Sequence, residues 1–92
     1  MVVTSARYTP DGTRLTLARA FERRGAVWSD TLLLDRAALV DRLRARRRVA
    51  VGRPADLPGD FAIENRLTLH PEGWIVADGA NGGRDELGVP LF

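Results

Sequence analysis

The side chains of this chain best suited to chemistry are its arginines, and their spacing points to phosphate contact rather than catalysis. All fourteen basic residues are arginine. Twelve of them fall within residues 1–53 against five acids, a net of +7. Residues 54–92 hold two arginines against seven acids, a net of −5, so the overall +2 conceals a bipolar chain. Charge asymmetry between halves points to a polyanionic partner or an acidic tail. The absence of lysine is assigned to codon usage in a GC-rich genome, which does not explain the clustering. Arg42, Arg44, Arg46, Arg47 and Arg48 crowd together with Asp41 as the one acid beside them. Arg44 is placed to pair with Asp41 across i,i+3.

Two readings of this cluster compete. In one, the stems of Arg46 and Arg47 cover an apolar helix stripe while their heads reach solvent or the chain's own acidic half. In the other, the arginines meet a polyanion. The first hairpin favours the second reading. If Pro10-Asp11 is the centre of a two-residue turn, Arg7 lies opposite Arg14, and facing like charges are unfavourable. A bound polyanion relieves that repulsion. Ser5, Thr9 and Thr16 surround the pair with hydroxyls, as on a phosphate-contacting surface. Trp28 and Tyr8 are either stacking platforms for unpaired bases or core residues.

Catalytic patterns are lacking. His70 is the one histidine and sits in a turn beside Pro71, where a structural or solvated role is expected. Ser5 and Ser29 have no G-x-S-x-G context. Asp85-Glu86 is a carboxylate pair of the kind used in acid–base work, but on a glycine-rich segment it reads as a solvated pair. Asp78 to Asp85 fails as a calcium loop, because Ala80 and Gly82 stand where oxygen ligands are needed. No phosphate-binding glycine loop is present. The expectation is a non-enzymatic protein without metal or cofactor.

The elements that position these residues follow from periodicity. Residues 2–9 and 13–22 alternate around Pro10-Asp11-Gly12 and predict a hairpin. Leu15, Leu17 and Phe21 fall on one face, and Arg14, Thr16, Ala18 and Ala20 on the other. Residues 26–34 predict a third strand. Asp35 is a good N-cap for a helix to about Arg47, its apolar side being Ala38, Leu39, Val40 and Leu43. Val49–Val51, the period-2 run Phe61, Ile63, Leu67 and Leu69, and residues 74–77 predict three further strands, with Asn65 as a polar inward exception. The fold class is therefore α+β: one small domain over residues 1–78, an antiparallel sheet in β-β-β-α-β-β-β order with one helix on one face. Residues 79–92 form a glycine-rich segment and an apolar tip. The uncovered sheet face must meet water, a partner subunit or a ligand.

The tip carries a resemblance. Asp85-Glu86 followed by Val89-Pro90-Leu91-Phe92 is similar to the tail tip of bacterial single-stranded DNA-binding proteins, where acids precede a Pro-Phe end that docks into partner proteins. The similarity covers about eight of the 92 residues, and Leu91 interrupts the Pro-Phe pair. The Leu-Phe end also resembles sliding-clamp-binding peptides without their leading glutamine. Each resemblance implies a partner-binding role for Pro90, Leu91 and Phe92. The alternative is that Leu91 and Phe92 fold back onto the core.

Without cysteine there is no disulfide or thiolate site. No signal-peptide core stands at the start, and no apolar run approaches a membrane span, so a cytoplasmic protein with no membrane partner is expected. A domain this small gains from association, so a homodimer or higher homo-oligomer is expected. The function read from these residues is binding of nucleic acid mainly by the phosphate backbone, with DNA and RNA, single strands and duplexes all left open and single-stranded DNA or RNA as one option. The residues expected to carry it are Arg7, Arg14, Arg42, Arg44, Arg46, Arg47, Arg48 and Trp28. The alternative is an interaction module that self-associates through its basic and acidic halves.

Overall fold

The computed structural model describes residues 1–56, 60–78 and 83–92. Residues 79–82 of the expected glycine-rich segment, and 57–59 of the preceding loop, lie outside the described residues. The chain begins with β1 (Val2–Tyr8) and β2 (Leu15–Phe21), which pair antiparallel. Their loop is organised by Asp11, whose Oδ1 accepts from the hydroxyls of Thr9 and Thr13 and from the Thr13 amide. Gly12 supplies φ +75°, a conformation that favours glycine.

This loop is longer than a two-residue turn. The Thr9 amide donates to the Arg14 carbonyl at 2.8 Å, while Arg7 faces Leu17 and Tyr8 faces Leu15. The expected Arg7–Arg14 pair therefore does not form. Register shifts at Thr4 and Thr16 put one extra residue into each strand, and such bulges change the phase of side-chain alternation. Leu15 still faces the core, but beyond the Thr16 shift Ala18 and Ala20 are fully buried. Leu17, Arg19 and Phe21 take the other face, so the expected apolar face of this strand is split.

The expected third strand is divided. β3 (Arg23–Arg24) and β4 (Val27–Trp28) make a separate two-stranded ribbon, and β5 (Leu32–Asp35) pairs antiparallel with β2. The Asp35 carboxylate then accepts from the Ala38 amide at 2.8 Å and starts α1 (Arg36–Arg44). The helix stops earlier than its arginine run predicts. Arg46 adopts φ 58°, and the amides of Arg46 and Arg47 donate to the carbonyls of Leu43 and Arg42. This is the Schellman closure, in which a left-handed residue satisfies the last carbonyls.

β6 (Ala50–Pro54), β7 (Phe61–Leu69) and β8 (Ile75–Ala77) complete a six-stranded sheet in the order β5-β2-β1-β6-β7-β8. β6 lies parallel to β1, through Val2–Ala50 and Val3–Val51. The sheet is thus mixed rather than wholly antiparallel, because the crossover through α1 returns the chain in the direction of β1. Leu39 and Val40 of α1 are buried, and the core contains Val3, Ala6, Leu15, Ala18, Ala20, Val49, Val51, Leu67, Ile75 and Leu87. The class is α+β, with one helix among the described residues, packed on one side of the sheet.

A further register shift between Val51 and Gly52 makes Glu64 the extra residue of β7. Leu67 goes into the core, whereas Ile63 is 57% exposed and Asn65 is exposed rather than inward. Gly52 is required here by close approach: a Cβ would stand 2.6 Å from the Ala62 carbonyl oxygen and 2.8 Å from Val2 Cγ2. Residues 83–92 pack on the same core. Leu87 is fully buried, Glu86 bridges to Val76, and Leu91 bridges to Ala6. Among the described residues no helix is long and apolar enough to cross a membrane.

Candidate functional site

The face of the sheet opposite α1 collects aromatic rings and guanidinium groups. Phe21 of β2 lies 4.8 Å from Phe61 of β7, and Trp28 of the ribbon meets Phe61 edge-on at 5.0 Å. The register shifts in β2 and β7 bring these rings together, since each releases its aromatic residue from the core side. The Arg23 guanidinium lies 5.4 Å from the Trp28 ring centroid. A groove of about 510 Å³ opens between Thr4, Arg19, Phe21, Thr31, Asp60 and Phe61.

Next to this groove, Phe92 is held by two arginines. The guanidinium carbons of Arg7 and Arg19 stand 4.6 and 4.5 Å from its ring centroid. Arg7 Nε also donates to the Phe92 main-chain oxygen at 3.0 Å. Main-chain bonds hold the tip on β1: the Ala6 amide donates to the Pro90 carbonyl at 2.9 Å, and the Phe92 amide to the Ala6 carbonyl at 3.3 Å. Leu91 is 72% exposed. Pro90, Leu91 and Phe92 thus lie along β1, with Phe92 fixed and Leu91 offered to the surroundings.

The helix-end arginines form a second basic region. Arg46 and Arg47 line a groove of about 280 Å³ with Arg66 of β7, over Leu43, Leu67 and Leu69. Arg48 and Arg66 share a neighbouring groove with Ile63 and with two acids, Glu64 and Asp78. Phe61 opens β7 and Arg66 lies toward its far end, where the groove over Leu43 and Leu67 opens on the helix side of the sheet. Among the described residues, Arg44, Arg46, Arg47, Arg48 and Arg66 make no ion pair, and the expected Arg44–Asp41 pair is absent. Arg46 and Arg47 lie beyond the helix C-cap at Ala45, so they do not flank its stripe as helical residues. Arg42 is engaged: it binds Glu22 at 3.1 Å, and its hydrogen bond and charge hold that carboxyl below its ordinary range. Arg14 stands apart, 5.7 Å from the Trp74 ring centroid.

The acidic half neutralises little of this charge. Among the described residues it supplies two partners to the basic half, Asp85 to Arg36 and Glu64 to Arg53. Arg84 and Glu86 pair within the acidic half at 3.6 Å.

Asp85 is not the solvated acid that the sequence predicts. It is 1% exposed. Its Oδ2 accepts from the Leu15 amide and Arg36 Nε, both at 2.7 Å, and its Oδ1 from the Ile75 amide at 2.9 Å and Arg36 Nη2 at 3.1 Å. Burial pushes its pKa up, but the Arg36 hydrogen bonds, the two amides and the Arg36 charge outweigh this and hold it below the ordinary carboxylate range. Each oxygen accepts two hydrogen bonds, so the group acts as a latch joining β2, α1 and β8. The Tyr8 hydroxyl accepts from the Leu87 amide at 3.2 Å, and burial raises its pKa. His70 Nδ1 accepts from the Glu72 amide at 3.1 Å within its turn. Among the described residues no three histidine, aspartate or glutamate side chains converge as a metal site.

No protein-family model, curated protein or solved structure matches this chain. Of the residues singled out from sequence, Arg7 and Trp28 come to the aromatic face and Arg46, Arg47 and Arg48 to the helix-end region, while Arg14 joins neither. Sequence reasoning missed Arg19, Arg23, Phe21, Phe61 and Arg66. Arg19 and Phe21 are hidden by the Thr16 shift, which no local pattern announces.

Proposed function

We propose that this protein binds single-stranded nucleic acid across the helix-free face of its sheet. Arg7, Arg19 and Arg23 contact phosphates beside the Phe21–Phe61–Trp28 cluster, and Arg46, Arg47, Arg48 and Arg66 add phosphate contacts at the helix end. The observation that carries this reading is the interleaving of guanidinium groups with aromatic rings on one face, the cations having no aspartate or glutamate partner there among the described residues. Aromatic platforms accept bases of any sequence, and a basic groove follows the backbone.

Fluorescence anisotropy with single- and double-stranded oligonucleotides tests this at about 50 mM salt, where phosphate contacts are strong. Binding to single strands that weakens linearly in log affinity against log salt is the expected result. Trp28 reports stacking directly: in a Trp74→Phe background, bound single strands quench its emission. Failure of every oligonucleotide to bind rejects the proposal.

A second reading has its own support. β5 is an outer strand of the sheet and carries Leu33, which is 59% exposed. Such an edge favours pairing with a second copy. Sedimentation of nuclease-treated protein at low and high salt distinguishes self-association from assembly on nucleic acid.

A further inference from the structure

Among the described residues the 510 Å³ groove contains one acid, Asp60, beside Arg19 and the rings of Phe21 and Phe61. Its Oδ1 accepts from the Phe61 amide at 2.8 Å, which fixes the carboxylate at the groove that the Phe61 side chain also lines. Asp60 is exposed, and among the described residues no arginine pairs with it although Arg19 lines the same groove. A free carboxylate repels phosphate, so its place on a phosphate-binding face calls for a ligand that brings hydrogen-bond donors.

We propose that this groove selects guanine: one unstacked base lies against Phe61 and turns its N1–H and N2–H donors to Asp60, while Arg19 holds an adjacent phosphate. The inference rests on the single-strand reading above. Unpaired bases are read on their Watson–Crick edges while stacked on aromatic side chains. An ionised carboxylate only accepts hydrogen bonds. Guanine offers it two adjacent donors. Adenine and cytosine each offer an amino group beside a ring nitrogen whose lone pair faces the carboxylate. Thymine offers one imino donor between two carbonyl oxygens. The expected ranking is guanine first, adenine and cytosine next, thymine last.

The test compares short oligothymidines that carry a single central dG, dA, dC or dT, by fluorescence anisotropy. The dG strand should bind about ten-fold more tightly than the all-dT strand, as a good bidentate contact discriminates by that order. Asp60→Ala should remove the preference, so that the dG and all-dT strands bind alike. Circular dichroism establishes that this surface variant folds. Equal binding of the four strands by the parent protein, or a preference for dA, dC or dT, overturns the guanine assignment and leaves the single-strand reading standing. Persistence of the dG preference in Asp60→Ala overturns the role of Asp60. Failure of all four strands to bind overturns both readings.

Discussion

Replacing Asp85 by asparagine keeps the side-chain shape but removes the charge that faces Arg36, and Asp85 is 1% exposed. Breaking a buried pair by removing one partner costs about 3–5 kcal/mol, and Asp85→Asn should lose an amount in that range by urea denaturation followed through tryptophan fluorescence. The same carboxylate sets a pH dependence. Its folded pKa is depressed, so its stabilisation is complete above the unfolded value of about 3.9. It is lost as the pH falls through that value and down past the folded one. The parent should therefore lose stability below about pH 4–5 more steeply than Asp85→Asn does. Arg46 offers a change of opposite sign. It holds φ 58° at the helix end, a conformation that costs a side-chain-bearing residue about 1 kcal/mol more than glycine. Arg46→Gly should stabilise the fold by about 1 kcal/mol in the same measurement while weakening oligonucleotide binding, because it also removes a guanidinium from the basic groove.

At the scale of elements, the register shifts decide which residues meet. Gly52 sits at the one between β6 and β7, with the Ala62 carbonyl oxygen 2.6 Å from where a Cβ would be. That oxygen belongs to the backbone and cannot swing aside, so Gly52→Ala should destabilise by roughly 1–3 kcal/mol, the usual cost of overpacking, as a lowered urea midpoint. An unchanged midpoint would show that β7 can shift freely at this point. Several elements are legible in the sequence: the turn after Pro10, the two strands it joins, the Asp35 cap and the helix stripe at Leu39 and Val40 follow from local chemistry, whereas the division of residues 26–34 between the ribbon and β5 does not. The parallel pairing of β1 with β6 is not, since it depends on how a crossover packs rather than on any local pattern. The same limit explains the site. Arg7 and Trp28 are visible as residue types, but Arg19, Phe21 and Phe61 share their face only because Thr16 and Glu64 are extra residues in their strands. Asp85 looks solvated in the sequence because its amide partners, Leu15 and Ile75, are 70 and 10 residues away.

For the whole molecule, the decisive quantity is how much of the +7 half remains free. Among the described residues the acidic half occupies Arg36 and Arg53 and leaves the helix-end cluster unpaired. If those arginines meet phosphates, replacing Arg46, Arg47 and Arg48 together by alanine removes up to three counterion-releasing contacts. Each contact contributes about 0.7 to the slope of log affinity against log salt for single strands. The triple variant should therefore show a slope shallower by about 2 and weaker binding to every sequence, with any base preference intact. Asp60→Ala acts on the other quantity, levelling the four strands against one another. A triple variant whose slope equals the parent's would place the phosphate contacts elsewhere, on Arg7, Arg19 and Arg23 alone. It would leave the helix-end charge to self-association, which sedimentation at low and high salt would reveal.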